Sequence, residues 1–408
     1  MTADRPARWN RLGIRMPSIL LPRADCIARW PVVACDQHVD DPAYWIRRRD
    51  AVGEAISSLH LVVPECDLPI SDLARRAAAI AHTMRIYLDR QDLEPVRHGV
   101  VRVRRTFPDG RIRDALVACV DLERCLDPDP SRGLVRPTED TVANRIPVRL
   151  AVRRLAPLEL PHLQVVFDDP ELSAIEAIDP DDLEPVALYD LELPEGGGRL
   201  EGRRLRDDGS VLEAFERLWA RSGGRLWWVG DGNHSFQAAL AHWRELRSRG
   251  VSPEHPARWV LCELLNLRSP GLEIHPVHRI LRTDRPHRLP DLARAVLGSH
   301  PEGPVEMLGA VTSERLGDPS CTSTESVLRF DELVDRFSGI DPGLRLEYEH
   351  GGDAARSKAG PGVFAFVLPP PTVDGILEAI EGGVLPRKTF SLGTAMEKRH
   401  YMEARRIA

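Results

Sequence analysis

Along the chain, stretches with apolar residues at helical spacing alternate with short apolar runs of strand length. This is the pattern of an α/β or α+β protein with mixed sheets and flanking helices. Asp41-Pro42 offers an N-cap and a proline at the first helical position ahead of AYWIRRRDAVGEAISSL, and Ser71-Asp72 opens LARRAAAIAHTMRIYLDR. Both predict N-terminal helices. HGVVRVRRTF and RIRDALVACVDL flank Pro108-Asp109-Gly110 and predict a β-hairpin over 98–122. Residues 127–154, rich in Pro, Arg, Thr and Asp, read as a long polar connection, and loops of that length often carry function. Beyond it LQVVFDD predicts a strand, SVLEAFERLWARS a helix, LWWVG a buried strand and NHSFQAALAHWRELRSR another helix. WVLCELLNL and FAFVLPP are expected to complete a second sheet, and residues 300–328 read as a loose segment. Gly196-Gly197-Gly198 marks a soft boundary, with an N-terminal α/β region over 1–195 and a C-terminal α/β region over 196–408.

The 408 residues are 42% apolar and 29% charged, the composition of a soluble globular chain. No apolar run approaches the roughly 18 residues that span a bilayer, and the Arg-rich start lacks the apolar stretch of a secretory signal; the expected location is the cytoplasm. A net charge of −7 argues against non-specific nucleic-acid binding. The cysteines, Cys26, Cys35, Cys66, Cys119, Cys125, Cys262 and Cys321, are odd in number and never spaced as CxxC, against a disulfide scaffold or a cysteine zinc site. Of 55 basic residues only Lys358, Lys388 and Lys398 are lysine. Lys388 and Lys398 stand near the C-terminal end beside Thr389, Ser391, Gly393 and Arg399, where a compact ammonium offers what a planar guanidinium does not.

The strongest local motif is LWWVGDGNHSFQAALAHW, a strand running into Gly230, Asp231, Gly232, Asn233, His234 and Ser235 and then directly into an amphipathic helix. Glycines let the chain approach a ligand, and the N–H groups of a helix start favour phosphate or carboxylate. Asn233, His234 and Ser235 add side-chain donors. The alternative is an ordinary glycine-rich turn with Asp231 or Asn233 as helix cap, since neither a Walker lysine nor GxGxxG is present.

VGDGNHSFQAAL resembles the DGxH(R/S)xxAA motif of the domain of unknown function (DUF) 1015 family. WPVVACDQHVDDPAYW, RPTEDTVANRIPVR with APLELPHLQVVFDDPE, IHPVHRIL and LPRKTFSLGTAMEKRHYMEARRI resemble that family's blocks in the same order, over roughly residues 18–407. The DGxHR-type block is in turn similar to the phosphate-binding motif of the ParB/sulfiredoxin superfamily, which includes nucleotide hydrolases and kinases of free serine. The resemblance implies a ParB/sulfiredoxin-like core with a diphosphate or triphosphate cradle. Ser235 replaces the arginine that usually follows the histidine, so Arg279, Arg145 or Lys388 would have to supply that charge. Asn233 stands where sulfiredoxin has its reactive cysteine, which sets that chemistry aside.

Asp36, after the apolar run WPVVAC, is the candidate general base, or else a strand-end cap. Cys35 reads as a small buried hydrophobe. Glu139 and Arg145 in the polar loop, with Glu159 and His162 in LELPH, form a candidate amino-acid site in which Glu139 accepts an ammonium or holds Mg2+; Arg136 and Arg149 read as an ion-pair network. Asp168-Asp169 reads as a turn, and the pair His278-Arg279 as a phosphate contact rather than part of a zinc site. The expected activity is a small-molecule phosphotransferase. ATP or ADP would bind at Gly230–Ser235 with His278, Arg279, Lys388 and Lys398, Asp36 and His234 would act in catalysis, and a hydroxylated amino acid such as serine would be the acceptor. The rivals are a non-catalytic nucleotide-binding regulator and a metal-dependent hydrolase using His234, His278 and Asp36. Partners are the nucleotide and substrate, without nucleic acid or membrane; a homodimer is allowed.

Overall fold

The computed structural model describes residues 4–39, 41–127, 129–138, 146–160, 163–382 and 387–408. The chain forms a mixed α/β protein in two compact units: Met1–Pro137 with Thr141–Leu272 and Ala395–Ala408, and Thr138–Asp140 with Glu273–Thr394. The division falls at residue 273 rather than at the glycine run. Gly196 and Gly198 take left-handed φ values of 78° and 79°, and Leu193 N–H donates to Gly198 O at 2.7 Å. The run is therefore the tight turn joining the paired strands Tyr189–Glu192 and Arg199–Arg204 within the first unit.

The first unit is built on a large mixed sheet. Its strands run in the order Val135–Arg136, Trp227–Asp231, Gln164–Phe167, Trp259–Asn266, Ile112–Asp121, Val101–Thr106, Arg199–Arg204, Tyr189–Glu192, and Ile14–Arg15 also pairs with Ile112–Asp121. The hairpin at Pro108-Asp109-Gly110 forms as expected, Val101–Thr106 against Ile112–Asp121. WVLCELLNL lies in the middle of this sheet, not in a sheet with FAFVLPP: its eight strand residues are all buried, and an uninterrupted apolar run does not announce which sheet it joins. Side chains alternate between faces. On one face Val229, Val165, Leu264 and Leu116 fall in register across four strands and enter the apolar core.

Helices Gly209–Arg221 and Asn233–Ser248 pack on that core. Phe215, fully buried, sits 5.7, 5.0 and 5.5 Å from the rings of Trp9, Phe167 and Trp227. The two N-terminal helices form as expected, Pro42–Val52 capped by Asp41 and Leu73–Asp89 by Asp72. The last third of the expected long loop over 127–154 is instead helix, Ile146–Leu155. Its proline stands in the first turn, where a missing N–H costs nothing.

A four-stranded sheet in the same unit closes the chain on itself. The strand Ala404–Arg406 lies between Ile19–Pro22 and Leu158–Glu159, with Leu93–Pro95 outside. The second unit carries a six-stranded sheet in which Ile274–Arg282 pairs with Arg345–His350, Val363–Val367 and Phe390–Leu392. Residues 300–328 are not loose: Val305–Leu308 and Ser313–Leu316 form a hairpin, and Ser323 begins a helix closed by a capping box.

Replacing Phe215 with alanine removes the ring shared by three aromatic partners. It is expected to cost about 3–5 kcal/mol, read as a fall in the urea midpoint; a loss below about 1 kcal/mol would show that the aromatic cluster is not the stabilising centre.

Candidate functional site

The strand Trp227–Asp231 ends in a bulge at Gly230, which brings Asp231 rather than Gly230 opposite Gln164. Gly232 follows at φ 78°, a left-handed turn that a side chain would strain, and occupies the N-cap of Asn233–Ser248. Neither Asp231 nor Asn233 is the cap, and glycine has no side chain to cap with. Gly232 therefore lends no side-chain cap of its own to the positive end of the helix. Asp231 turns back instead: its Oδ1 accepts from Gly232 N–H at 2.7 Å, and its Oδ2 accepts from Lys398 Nζ at 2.9 Å. Lys398 is 6% exposed. Of the three lysines it is the buried one, at the mouth of the glycine corner.

The face of the sheet opposite the apolar core carries charge. Gln164 stands in register with both Asp231 and Glu263, and its Nε2 donates to Glu263 Oε2 at 3.0 Å. Arg399 lies 3.0 Å from Glu263 and donates to Glu403 at 2.6 Å, and Tyr189 Oη donates to Glu403. Burial pushes the Glu263 carboxyl up, but Arg399 and Arg113 outweigh it and hold the group below the usual carboxylate range. Arg105, on the neighbouring hairpin, donates to the carbonyls of Gly197, Glu397 and Lys398 at 2.8, 3.0 and 2.6 Å. Burial, helped by the charge of Arg113, pulls Arg105 down to about 9. These guanidiniums fix the backbone from which Lys398 reaches Asp231.

Beside the corner lies a cavity of about 130 Å3. Ser235 and Ala238 form one wall, the helix Ile146–Leu155 supplies Val148, Arg149, Val152 and Arg153, and Cys35, Glu65, Glu159 and Tyr401 complete the polar part. The spacing 148, 149, 152, 153 is one helical stripe. Arg149 pairs with Glu65 and Arg153 with Glu159, each at 2.5 Å. Cys35 is buried, and burial pushes its thiol up to about 11, the state of a packing residue rather than a nucleophile.

The structure brings Asp231, Gly232, Asn233, His234, Ser235 and Lys398 together. Asn233 is buried, and His234 and Ser235 are half-buried. Asp36 is half-buried next to the cavity residue Cys35, its Oδ1 accepting from Gln37 at 3.0 Å. Glu159 lines the cavity with its carboxylate already engaged: it is buried, accepts from Leu261 N–H at 3.0 Å and is held between Arg153 and Arg405. Arg136 stacks 4.7 Å from Trp228 and donates to Arg225 O. Asp168-Asp169 is the expected turn, Asp169 Oδ2 accepting from Ser173 and Ala174 N–H.

His278, Arg279 and Lys388 belong to the second unit. Leu368 N–H donates to buried His278 Nδ1 at 3.1 Å. Buried Arg279 donates to the carbonyls of Val277, Arg387 and Lys388 at 2.5, 2.6 and 3.0 Å, and Lys388 Nζ lies 5.5 Å from the Tyr348 ring. These contacts serve the second unit's own packing. Glu139, Arg145 and His162 lie outside the described residues. Sequence reasoning missed Gln164, Glu263, Arg105, Arg113, Arg153 and Arg399. A usable signal was the polar residue inside an apolar run, Gln164 in LQVVF and Glu263 in WVLCELL, because such a residue is buried only with a partner.

Residues 17–299 match the family described as "Protein of unknown function (DUF1015)". The chain belongs to the DUF1015 family. No curated protein matches the sequence. Among solved structures, the chain is similar to a free serine kinase mutant in complex with ADP, at 11% identity and a TM-score of 0.39 over 70% of this chain and 91% of that one. It is similar to SbnI with a C-terminal truncation from Staphylococcus aureus, at 10% identity and 0.38 over 68% and 82%. It is also similar to a conserved hypothetical protein from Pyrococcus furiosus, at 11% identity and 0.34 over 70% and 90%. Among the described residues, no helix of this DUF1015 member is long and apolar enough to cross a membrane.

The helix that leaves the corner carries His242. Burial, and then the charge of Arg153, hold its imidazole down at about 4. An unfolded histidine titrates near ~6.5, so between these values the unfolded chain binds a proton that the folded chain does not. Stability therefore falls as pH drops from about 6.5 toward 4. His242→Gln is expected to flatten this slope by about one proton in denaturant melts between pH 7 and 5; identical slopes would remove the assignment.

Proposed function

We propose that the chain is a small-molecule phosphotransferase, a nucleotide-dependent kinase of a hydroxylated amino acid such as serine. ATP or ADP would be held at Gly230–Ser235, in the manner of the ParB/sulfiredoxin phosphate-binding motif that the sequence resembles. The observation that carries this reading is the corner itself: a left-handed glycine, with no side chain to cap, opens a sixteen-residue helix, and a buried lysine stands at the same carboxylate that closes the turn. The helix start and Lys398 both favour an anion, and a polyphosphate would compete with Asp231 for the ammonium.

His234 and Ser235 would add donors to the phosphates. Asp36 would take the proton of the acceptor hydroxyl as that oxygen bonds the transferred phosphorus and the bridging oxygen leaves with the nucleotide. With Arg279 committed to carbonyls of its own unit, stabilisation of the transferring charge falls to Lys398. Asp231 holds Gly232 N–H and Lys398 with its two oxygens, so a cation there would have to compete with the Lys398 ammonium. Magnesium, if brought with the nucleotide, would supply charge neutralisation at the phosphates, with Glu139 the residue proposed to hold it. Glu139, Arg145 and His162 remain proposed contacts to substrate or metal.

Calorimetry with ADP and ATP, and 31P NMR of mixtures with Mg2+ and hydroxy amino acids, test the proposal. Lys398→Met is expected to weaken nucleotide binding by about tenfold or more, the size of one charge-assisted contact, and His234→Ala to weaken it less. Absence of nucleotide binding, or equal affinity in Lys398→Met, would remove the cradle. Binding with no phosphorylated product after long incubation would instead make the chain a nucleotide-responsive regulator.

A further inference from the structure

The cavity beside Ser235 has a feature that nucleotide binding does not use. Arg153 lines it and pairs with Glu159 through Nη1, while its Nε and Nη2 are buried with no hydrogen-bond partner among the described residues. Those two nitrogens form the side edge of the guanidinium, the geometry that receives both oxygens of a carboxylate. Leaving such an edge unsatisfied in a buried position is costly, and it calls for a partner. Glu159 is shared by Arg153 and Arg405, so its carboxylate is divided between two guanidiniums and bonds Arg153 through Nη1 alone. The other walls are largely apolar, among them Leu61, Met84, Val152, Leu158 and Val260. A dry apolar cavity of ~150 Å3 admits benzene, so this one matches a phenyl or branched alkyl group.

We propose that this cavity binds a small carboxylic acid with a compact apolar body, its carboxylate on the open edge of Arg153 and its body against the apolar walls. As the site of the phosphate acceptor, it rests on the phosphotransferase reading above, and it widens the acceptor from serine to a hydroxy acid with a phenyl or branched-alkyl body. Serine, with only a hydroxymethyl group, would leave the cavity unfilled.

Calorimetry on the whole chain with 3-phenyllactate, 2-hydroxy-4-methylpentanoate, lactate, serine and the amide of 3-phenyllactate tests this. The two bulky acids are expected to bind at least about tenfold more tightly than lactate or serine, and the amide at least about tenfold more weakly than its acid. Arg153→Lys keeps the charge toward Glu159 but lacks the planar edge, and should lose about tenfold for the acid. Val148→Phe fills the space and should abolish acid binding while ADP binding persists. Equal affinity for large and small acids, equal affinity for acid and amide, or unchanged binding in Arg153→Lys would overturn the proposal. If that variant fails to fold, the ligand series on the unaltered chain decides. ADP titrated into the same samples separates the two readings. Acid binding without ADP binding keeps this site and removes the phosphotransferase, and ADP binding without acid binding removes this site.

Discussion

A sheet face that carries charge must be covered by something that answers it. In the first unit the face opposite the aromatic core holds Asp231, Gln164 and Glu263 in one row, with Arg113 and Arg105 farther along the hairpin. The cover is the returning segment 395–408. It brings Arg399 to Glu263, Lys398 to Asp231 and three consecutive carbonyls to Arg105. An arginine buried against backbone carbonyls keeps several donors satisfied at once, which an ammonium with its compact charge does less well. The preference for arginine in this chain thus has a structural use, and the one buried lysine marks a place where a compact charge is wanted.

The corner and the cavity are consequences of that cover. The helix Asn233–Ser248 leaves the sheet where the charged row ends, so its first turn faces Lys398 while Ser235 and Ala238 turn toward the helix Ile146–Leu155. One element therefore supplies a wall to two different chemical environments, one polar and anion-seeking, the other mainly apolar with an arginine at its edge.

Much of the local structure was legible in the sequence. The caps at Asp41 and Asp72, the hairpin around Pro108-Asp109-Gly110 and the strand-turn-helix at Gly230–Ser235 all rest on backbone chemistry that acts within a few residues. What could not be read depended on contacts distant in sequence. Pro147 and the arginines after it looked like loop until the apolar stripe of Val148 and Val152 found the cavity. Gly196–Gly198 looked like a boundary because the pairing of 189–192 with 199–204 that makes it a turn is tertiary. Glu159 looked like a ligand contact because Arg405, which claims it, lies near the other end of the chain. His278 and Arg279 are read as phosphate contacts only if their donors are free, and a sequence does not show which carbonyls they meet.

The order of synthesis adds a final consequence. Residues 273–394, the main segment of the second unit, leave the ribosome before Lys398, Arg399 and the strand 404–406 that pair within the first. At ~5–20 residues per second the emerging first unit waits on the order of ten seconds with its acidic row open to water and the inner place of its small sheet vacant. During that interval the edges of Ile19–Pro22 and Leu158–Glu159 that face each other across the sheet lack the strand that joins them, Ala404–Arg406.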